Sequence, residues 1–359
     1  MLYMPTNLLQ ENMVIACDIP SPYEDTPLLY RDTVLTQSMI DDLDAVGIAG
    51  IYIKSDYTTD VLADDCLGMI ERSQSLAFAK HIIYPSAKST EFDNTINDLL
   101  TGIIKNASDS TFIQSNMFNL RCYDSYTYEH SLRVTILSVL TGIQLKLDNQ
   151  ALWELGVAAM LHDIGKTLID VAVLNKSSRL TDAEWRSIKK HPEAGCAKAE
   201  HFYGYNQRIG EGILHHHEHY DGSGYPYGLA GNDIPLFARI VCCADIYDAL
   251  TSKRAYRSAW FPYQALDWMS TEGKNQIDPN VFEAFKETVV PYPEGSVVIL
   301  STGDLAAVIQ IHDNDRSHPV VRTLSAEESV IIDLSTSEIK IMGSGYDDKR
   351  LLPLIQKGD

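Results

Sequence analysis

Long apolar runs are absent from this sequence. No segment approaches the about 20 consecutive apolar residues that a membrane-spanning helix requires. Residues 1–12 also lack the basic-then-apolar pattern of a signal peptide. We therefore expect a cytoplasmic protein without membrane insertion.

Paired cysteine motifs are missing as well. The six cysteines form no C-x-x-C pair and are scattered through apolar surroundings. They are Cys17, Cys66, Cys122, Cys196, Cys242 and Cys243. Buried, reduced thiols are the main expectation and again indicate the cytoplasm, and a thiolate metal site is the alternative.

Positive charge is scarce. Lys and Arg number 29 against 49 Asp and Glu, which gives a formal net charge of −20. This balance argues against broad attraction to a nucleic-acid polymer or an anionic membrane. A small anionic ligand remains allowed, because local cations or a bound metal can reverse the field in one pocket.

The chain is longer than one typical domain and falls into segments of different pattern. We expect a small N-terminal α/β module, a helical linker region, a mainly α-helical core and a small β-rich C-terminal domain. Their expected boundaries are 1–60, 61–117, 118–288 and 289–359. There is no internal repeat or low-complexity tract.

The N-terminal module and the linker are assigned from local signals. In the module we expect strands at 12–19, 33–35 and 50–53, and a helix at 36–46 that Thr36 caps and Gly47 ends. Its role is expected to be regulatory. In the linker, apolar spacing predicts helices at 70–79 and 92–104.

The central segment has the clearest helix signals. Residues 153–164 are apolar on every side, which predicts a deeply buried helix. Thr181 and Glu184 form a capping box, and Pro235 stands where the first turn of a helix over 238–250 begins. After residue 291, short runs rich in β-formers predict strands at 295–300, 306–311, 320–324, 329–334 and 339–342.

Histidines and aspartates recur in or beside these apolar runs. His162 and Asp163 end the buried helix. Taken alone, they could as well be a hydrogen-bonded core histidine with a capping aspartate as a functional pair. Others lie in comparable positions: His130, His191, His216, His217 and Asp245. Since each run should be core, we expect several of these side chains to meet in one buried place.

Imidazoles and carboxylates without cysteine suit iron, manganese, nickel or zinc. The set is too large for one structural zinc and fits a two-metal centre with open positions for water. A carboxylate beside a histidine, as in Asp163, can bridge two ions. His215 and His219 are expected next to this cluster or on the surface.

The loop DGSGYP at 221–226 directly follows the paired histidines. Its glycines let backbone approach a ligand closely, and Tyr225 can stack or donate a hydrogen bond. Alone the loop would indicate only a turn. Here we expect it to form a wall of the metal pocket.

Taken in order, these motifs resemble the HD-GYP branch of the HD-domain phosphohydrolases over roughly residues 124–256. The resemblance rests on His130, HDIGK at 162–166, HP at 191–192, HHE at 216–218, DGSGYP, and the run from 238 through Asp245 to 252. It implies an HD-type helical catalytic core. It also implies hydrolysis of a cyclic dinucleotide, usually cyclic di-GMP, to linear pGpG and in some members onward to GMP.

The resemblance implies a role for each matching residue. The implied metal ligands are His130, His162, Asp163, His191, His216, His217 and Asp245, with Asp163 as the bridge. Lys166 is implied to act at the scissile phosphate, where the rival reading is a helix-end cation. Implied substrate contacts are Tyr225, Asp248, Arg254 and Arg257. For the two arginines the alternative is a solvated surface charge, and Asp248 could equally orient a ligand.

Several positions depart from the family pattern. Tyr126 stands where some relatives carry a carboxylate that supports a third metal ion, so two ions are expected. Glu129 is close in sequence to this position, so a third ion remains an alternative. Residues 167–170 differ from the commoner Ile-Gly-Ile-Pro, and Ala255 replaces a frequent proline. Iron is the first expectation, since the family often uses non-haem iron, and manganese is the second, with nickel or zinc as further candidates.

The expected mechanism follows from charge. Two cations would neutralise the phosphodiester and activate a water for in-line attack, while Lys166 would stabilise the phosphoryl oxygens or help protonate the leaving 3′-oxygen. Arg254 and Arg257 would bind the second phosphate. Alternatives are another substrate such as cyclic GMP-AMP or a linear nucleotide, a catalytically weak cyclic di-GMP sensor, and a metal-storage role that leaves Lys166 and Tyr225 unexplained. A homodimer or a signalling partner also remains open.

Overall fold

The computed structural model describes most of the chain, in several stretches. These are residues 1–19, 26–59, 61, 90–106, 128–174, 176, 178–203, 206–252, 259–312, 314–325 and 328–356. Several predictions lie outside the described residues: the helix at 70–79, Cys66, Cys122, Tyr126, Arg254, Ala255, Arg257 and the side chain of Glu129.

The central part of the chain is helical, as expected. Its helices are α2 (Thr90–Asn106), α3 (Tyr128–Gln144), α4 (Asn149–Leu161), α5 (Val171–Leu174), α6 (Asp182–Ile188), α7 (His191–Tyr203), α8 (Gln207–Leu214), α9 (Leu236–Thr251), α10 (Pro262–Ser270) and α11 (Pro279–Lys286); α1 (Gln37–Ala45) precedes them and α12 (Leu351–Gln356) follows the last strand. Helix α2 contains the predicted run 92–104, and α6 begins at the predicted capping box.

Helix α4 lies at the centre of the helical core. Asp148 caps it by accepting a hydrogen bond from the backbone N–H of Ala151 at 2.8 Å, and ten of its thirteen residues are buried. One face, with Val157, packs among residues of α2, α3 and α8, and the other, with Leu155, packs against α9 and α11. The end of α4 therefore delivers the next residues into the interior.

The strands lie in two sheets. They are β1 (Leu2–Pro5), β2 (Gly50–Ile53), β3 (Val297–Leu300), β4 (Leu305–His312), β5 (Asp315–Thr323), β6 (Ile331–Asp333) and β7 (Ile341–Ser344). β1 and β2 pair antiparallel, and the other strands form an antiparallel sheet in the order β6-β5-β4-β3-β7. The β-rich C-terminal part is thus confirmed, with each expected run near an observed strand.

The N-terminal elements differ in part from expectation. Thr36 caps α1 and β2 forms at 50–53 as expected, but 12–19 and 33–35 make only isolated bridges, such as Val14 to Val34 and Ile15 to Ile53. Because consecutive residues bridge to different segments, neither pairing extends into a ladder. The partner that β2 pairs with is β1, which was not predicted.

The two ends of the chain share one hydrophobic core. Leu2 and Ile53 pack with Val297, Leu305 and Tyr346, and the Tyr346 hydroxyl donates to the Tyr3 carbonyl at 2.9 Å. The N-terminal elements and the C-terminal sheet are therefore packed as one body. In the described part of the chain, no helix has the length and apolar character needed to cross a bilayer.

A short 3₁₀ helix, Ile164–Leu168, follows α4 and lies against the start of α7. Gly165 is the contact point: a Cβ built there would be 2.0 Å from the carbonyl oxygen of His191 and 2.7 Å from the backbone nitrogen of Gly195. Both neighbours are backbone atoms that cannot rotate away. This position therefore requires glycine.

We predict that Gly165→Ala lowers the free energy of unfolding by about 3 kcal/mol, because α7 must move away from the 3₁₀ helix. Gly210→Ala, inside α8, is the matched control. Its Cβ would lie 3.3 Å from the Cys196 sulfur, and the substitution should change the free energy of unfolding by less than about 1 kcal/mol. Urea unfolding followed by circular dichroism, with chelator present, measures both. Equal midpoints for the two variants would contradict the close approach.

Candidate metal centre

Three buried histidines are held in the same way. Each Nδ1 lies within hydrogen-bond distance of the backbone carbonyl three residues earlier: His162 to Ala159 at 2.7 Å, His191 to Ile188 at 2.8 Å and His216 to Ile213 at 2.6 Å. A carbonyl oxygen can only accept, so in the neutral ring Nδ1 carries the proton. Each Nε2 then presents a lone pair to the interior.

These lone pairs face one another. The Nε2 atoms of His130 and His162 are 3.1 Å apart, and those of His191 and His216 are 3.2 Å apart. His130 donates from Nδ1 to Asp248 at 2.7 Å, which leaves its Nε2 unprotonated too. Lone pairs at this spacing repel unless a proton or a cation lies between them.

All seven predicted ligands lie in two adjacent clusters. The first contains Asp163, His191, His216 and His217, and the second contains His130, His162 and Asp245. Within each cluster the ligand atoms are within 4.8 Å of one another. Such a spacing is what a bound ion would require.

Asp163 stands between the clusters. Its Oδ1 is 3.3 Å from the Nε2 of His191, and its Oδ2 is 3.5 Å from that of His162 and 3.6 Å from that of His130. Oδ1 is buried and forms no hydrogen bond within the described residues, since a deprotonated Nε2 cannot donate to it. Oδ1 thus faces the first cluster without a donor, and Oδ2, which accepts from the Lys166 ammonium, faces the second.

The protonation states of these groups suit cation binding. Burial works to raise the pKa of Asp163, but the Lys166 ammonium beside it and the neighbouring His162 outweigh burial and hold that pKa well below its usual range. Burial lowers the pKa of His216 well below its usual value and that of His217 to about 3. Neutral imidazoles around ionised carboxylates form a donor set that fits divalent metal ions.

No cysteine belongs to either cluster in the parts of the chain that the structure describes. Burial raises the pKa of the Cys242 and Cys243 thiols, which keeps both in the thiol form. The thiolate alternative therefore finds no support at these positions.

The loop at 221–226 folds back against the metal ligands. Tyr225 donates its N–H to the His217 carbonyl at 3.0 Å, and the two rings lie 4.7 Å apart. A Cβ on Gly224 would be 2.4 Å from that same carbonyl oxygen, so backbone packs on backbone there. His215 and His219 stay outside both clusters, and His219 faces Ser223 at 3.0 Å.

Glu218 holds this loop and was assigned no role by the sequence reasoning. It is 1% exposed, and its carboxylate accepts from the backbone N–H groups of Tyr227 at 2.8 Å and Leu229 at 3.0 Å. A carboxylate directly after the paired histidines was the available signal. Its partners are many residues away, so the sequence did not show what it binds.

Lys166 and Asp248 occupy different surroundings. The Lys166 ammonium is 2.5 Å from Asp163 Oδ2, and its side chain is 28% exposed, so it lies at the edge of the centre. Asp248 is 3% exposed and bonds His130, Arg133 and Ser252. Both its oxygens are engaged by protein groups, which favours orienting His130 over accepting from a substrate base.

Arg133 was also missed. It is a 7% exposed cation one turn after His130, and its guanidinium donates to Asp248 and, at 3.1 Å, to the hydroxyl of Ser252. A charged residue inside the otherwise apolar α3 was the sequence signal. Arg254 and Arg257, predicted to contact substrate, lie outside the described residues.

We predict that Glu218→Gln lowers the free energy of unfolding by about 2 kcal/mol and makes the loop at 221–229 sensitive to protease, because an amide NH₂ would face one of the two backbone donors. Glu193→Gln is the control, since this exposed residue contacts the same Tyr227 through its hydroxyl at 3.3 Å. Urea unfolding and limited proteolysis with mass spectrometry compare them. Equal cleavage of both variants would contradict the role of Glu218.

Known proteins share both the fold and the sequence of this region. Residues 113–281 match the HD domain family. The cyclic di-GMP phosphodiesterase PA4108 of Pseudomonas aeruginosa is 37% identical over 216 residues, covering 60% of this chain and 52% of that protein. The 3'3'-cGAMP-specific phosphodiesterase 3 of Vibrio cholerae is 39% identical over 173 residues, covering 47% and 36%. The chain thus spans about half or less of these relatives' length.

A solved structure resembles a larger part of the fold. Bd1817, an HDG"Y"P protein from Bdellovibrio bacteriovorus, superposes with a TM-score of 0.53 and 17% identity, covering 80% of this chain and 98% of that one. At this identity the likeness concerns the fold alone. Residues 113–281 thus match the HD domain family, and with the HD and GYP motifs side by side at the buried centre this region resembles the HD-GYP branch of that family.

Proposed function

We propose that this chain is a metal-dependent phosphodiesterase that hydrolyses cyclic di-GMP to linear pGpG, with onward hydrolysis to GMP as a further step. One observation carries the proposal: imidazole lone pairs converge on the buried carboxylate of Asp163, whose Oδ1 has no hydrogen-bond donor among the described residues. The name of the Pseudomonas relative supports the choice of substrate.

We further propose that this centre holds two divalent ions. One would be bound by His191, His216 and His217, the other by His130, His162 and Asp245, with Asp163 shared. When bound, such ions neutralise a phosphodiester and lower the pKa of a coordinated water. Iron is the first candidate and manganese the second, nickel and zinc also suit the donors, and a third ion stays open.

The protein's own groups would orient and stabilise the substrate. Lys166 holds its ammonium at the edge of the centre, where it can donate to phosphoryl oxygens or to the leaving 3′-oxygen. Burial raises the pKa of Tyr225, so its phenol remains a hydrogen-bond donor. Asp248 would act through His130 by fixing its ring, and Arg254 and Arg257 stay proposed substrate contacts.

A second candidate substrate is cyclic GMP-AMP. The observation favouring it is the 39% identity to a relative named as specific for 3'3'-cGAMP. The two substrates share the phosphodiester that the metal centre would engage and differ in one purine. A purely binding role accounts less well for the complete donor set.

For the ends of the chain we propose a joint regulatory role. Residues 1–60, as a small α/β module, and 289–359 share one core, so a ligand or partner that moves one would move the other. The helical region 118–288 would then be the catalytic domain, joined to the first module through 61–117.

The test is cyclic di-GMP hydrolysis followed by chromatography, with metal content determined on the same samples. We expect product from wild type and from His318→Ala, whose exposed histidine pairs with Asp315 away from the centre. His162→Ala/Asp163→Ala should lose both metal and at least about 1,000-fold of the activity, because the bridge and one ligand are removed.

Cyclic GMP-AMP is assayed in parallel. Product from cyclic GMP-AMP alone would transfer the assignment to that substrate. No product from metal-replete wild type with either substrate would refute the phosphodiesterase.

A further inference from the structure

Lys189 lies beside the metal centre in a setting that the proposed mechanism does not use. It follows α6 directly and stands two residues before the ligand His191. Its ammonium is 5.0 Å from the centroid of the Tyr225 ring and 5.7 Å from that of Trp185. Both distances are typical of cation–π contacts, so two rings hold the cation in place.

The rings connect Lys189 to the centre. Tyr225 lies 4.7 Å from the ring of His217, a member of the first cluster. Trp185 is 46% exposed and lies one helical turn before Lys189, so its ring borders solvent. The ammonium therefore lies at the entrance of the site, separated from a proposed ligand by one aromatic ring.

Two other cations at the centre, within the described residues, are paired with carboxylates. Arg133 binds Asp248, and Lys166 binds Asp163. Lys189 forms no ion pair with any carboxylate of the described residues, in a chain with 49 acidic residues. A cation held by neutral rings keeps its full charge for an anionic ligand.

Such a cation suits a cyclic dinucleotide. Its two phosphates lie on opposite sides of one macrocycle, so when one is at the metal centre the other is turned away from it. The second phosphate carries a full negative charge and loses solvent on binding. Without a partner of opposite charge it would oppose binding.

We propose that Lys189 binds the phosphate that is not being cleaved, with Tyr225 and Trp185 positioning its ammonium. This inference rests on the proposed function, since it concerns how the same site holds its substrate. The contact is made to a phosphate present in both candidate substrates. Lys189 therefore contributes to the affinity for cyclic dinucleotides as a class and not to the choice of purine.

The test compares Lys189→Met with Lys190→Met, an exposed neighbour that loses the same charge. Metal-replete proteins are assayed with cyclic di-GMP, with cyclic GMP-AMP and with bis(4-nitrophenyl) phosphate, a diester containing one phosphate. Lys189→Met should raise KM roughly tenfold for each cyclic dinucleotide that wild type cleaves and leave kcat within about twofold. Activity on the small diester, metal content and melting temperature should stay unchanged.

Further variants separate a phosphate contact from a structural role. Lys189→Arg should restore KM to within about threefold of wild type, since the positive charge returns. Lys190→Met should match wild type throughout. An unchanged KM in Lys189→Met, or equal losses on the small diester and on the dinucleotide, would overturn the inference while leaving the proposed function intact.

If wild type cleaves neither dinucleotide, the Lys189 contact is tested by measuring the affinity of the same samples for cyclic di-GMP by calorimetry. Binding that weakens roughly tenfold in Lys189→Met supports the contact while the phosphodiesterase proposal fails. Absence of both binding and hydrolysis would overturn the two proposals together.

Discussion

The carboxylate of Asp163 lies between two groups of imidazoles, and much of the surrounding structure acts to keep it there. A buried carboxylate oxygen without a hydrogen-bond donor is costly in a protein interior. It persists here because the backbone fixes the opposing histidines with their lone pairs inward. A cation entering the site would relieve this arrangement, so the fold maintains a group of side chains that could hold a metal ion.

Three features of the fold hold that arrangement. Helix α4 is buried from Glu154 to its last residue, so its end cannot tilt without disturbing two packed faces. Gly165 lets the following turn contact the backbone of His191 and sets the distance between two ligand-bearing segments. Glu218 closes the loop around the paired histidines by binding two of its backbone amides. Each contact connects segments far apart in the chain.

Charge is distributed unevenly in this acidic protein. Cations near the centre are buried against carboxylates or held over rings, while the chain as a whole carries −20. A polyanion would be repelled by the surface, whereas a small diester could enter a pocket in which a bound metal and local cations would dominate. This contrast is consistent with a site for a compact nucleotide and not for a nucleic-acid polymer.

Much of the site followed from the sequence because its chemistry is local. A histidine or aspartate inside an apolar run is recognisable wherever it occurs, and all seven expected ligands meet in the structure. Helix boundaries were equally accessible, since the capping box at Thr181 and the stop at Gly47 depend on a few neighbouring residues. The strands of the C-terminal sheet followed from alternation and turn residues.

Long-range partners were decided only by the tertiary structure. The sequence could not show that β2 pairs with β1, that the two ends of the chain share a core, or that Asp248 contacts His130 and Arg133. Nor could it show that the ring of Tyr225 reaches Lys189 from a separate segment. Local sequence determines which groups are present and how each segment coils, whereas the pairing of distant groups depends on how helices and strands pack in three dimensions.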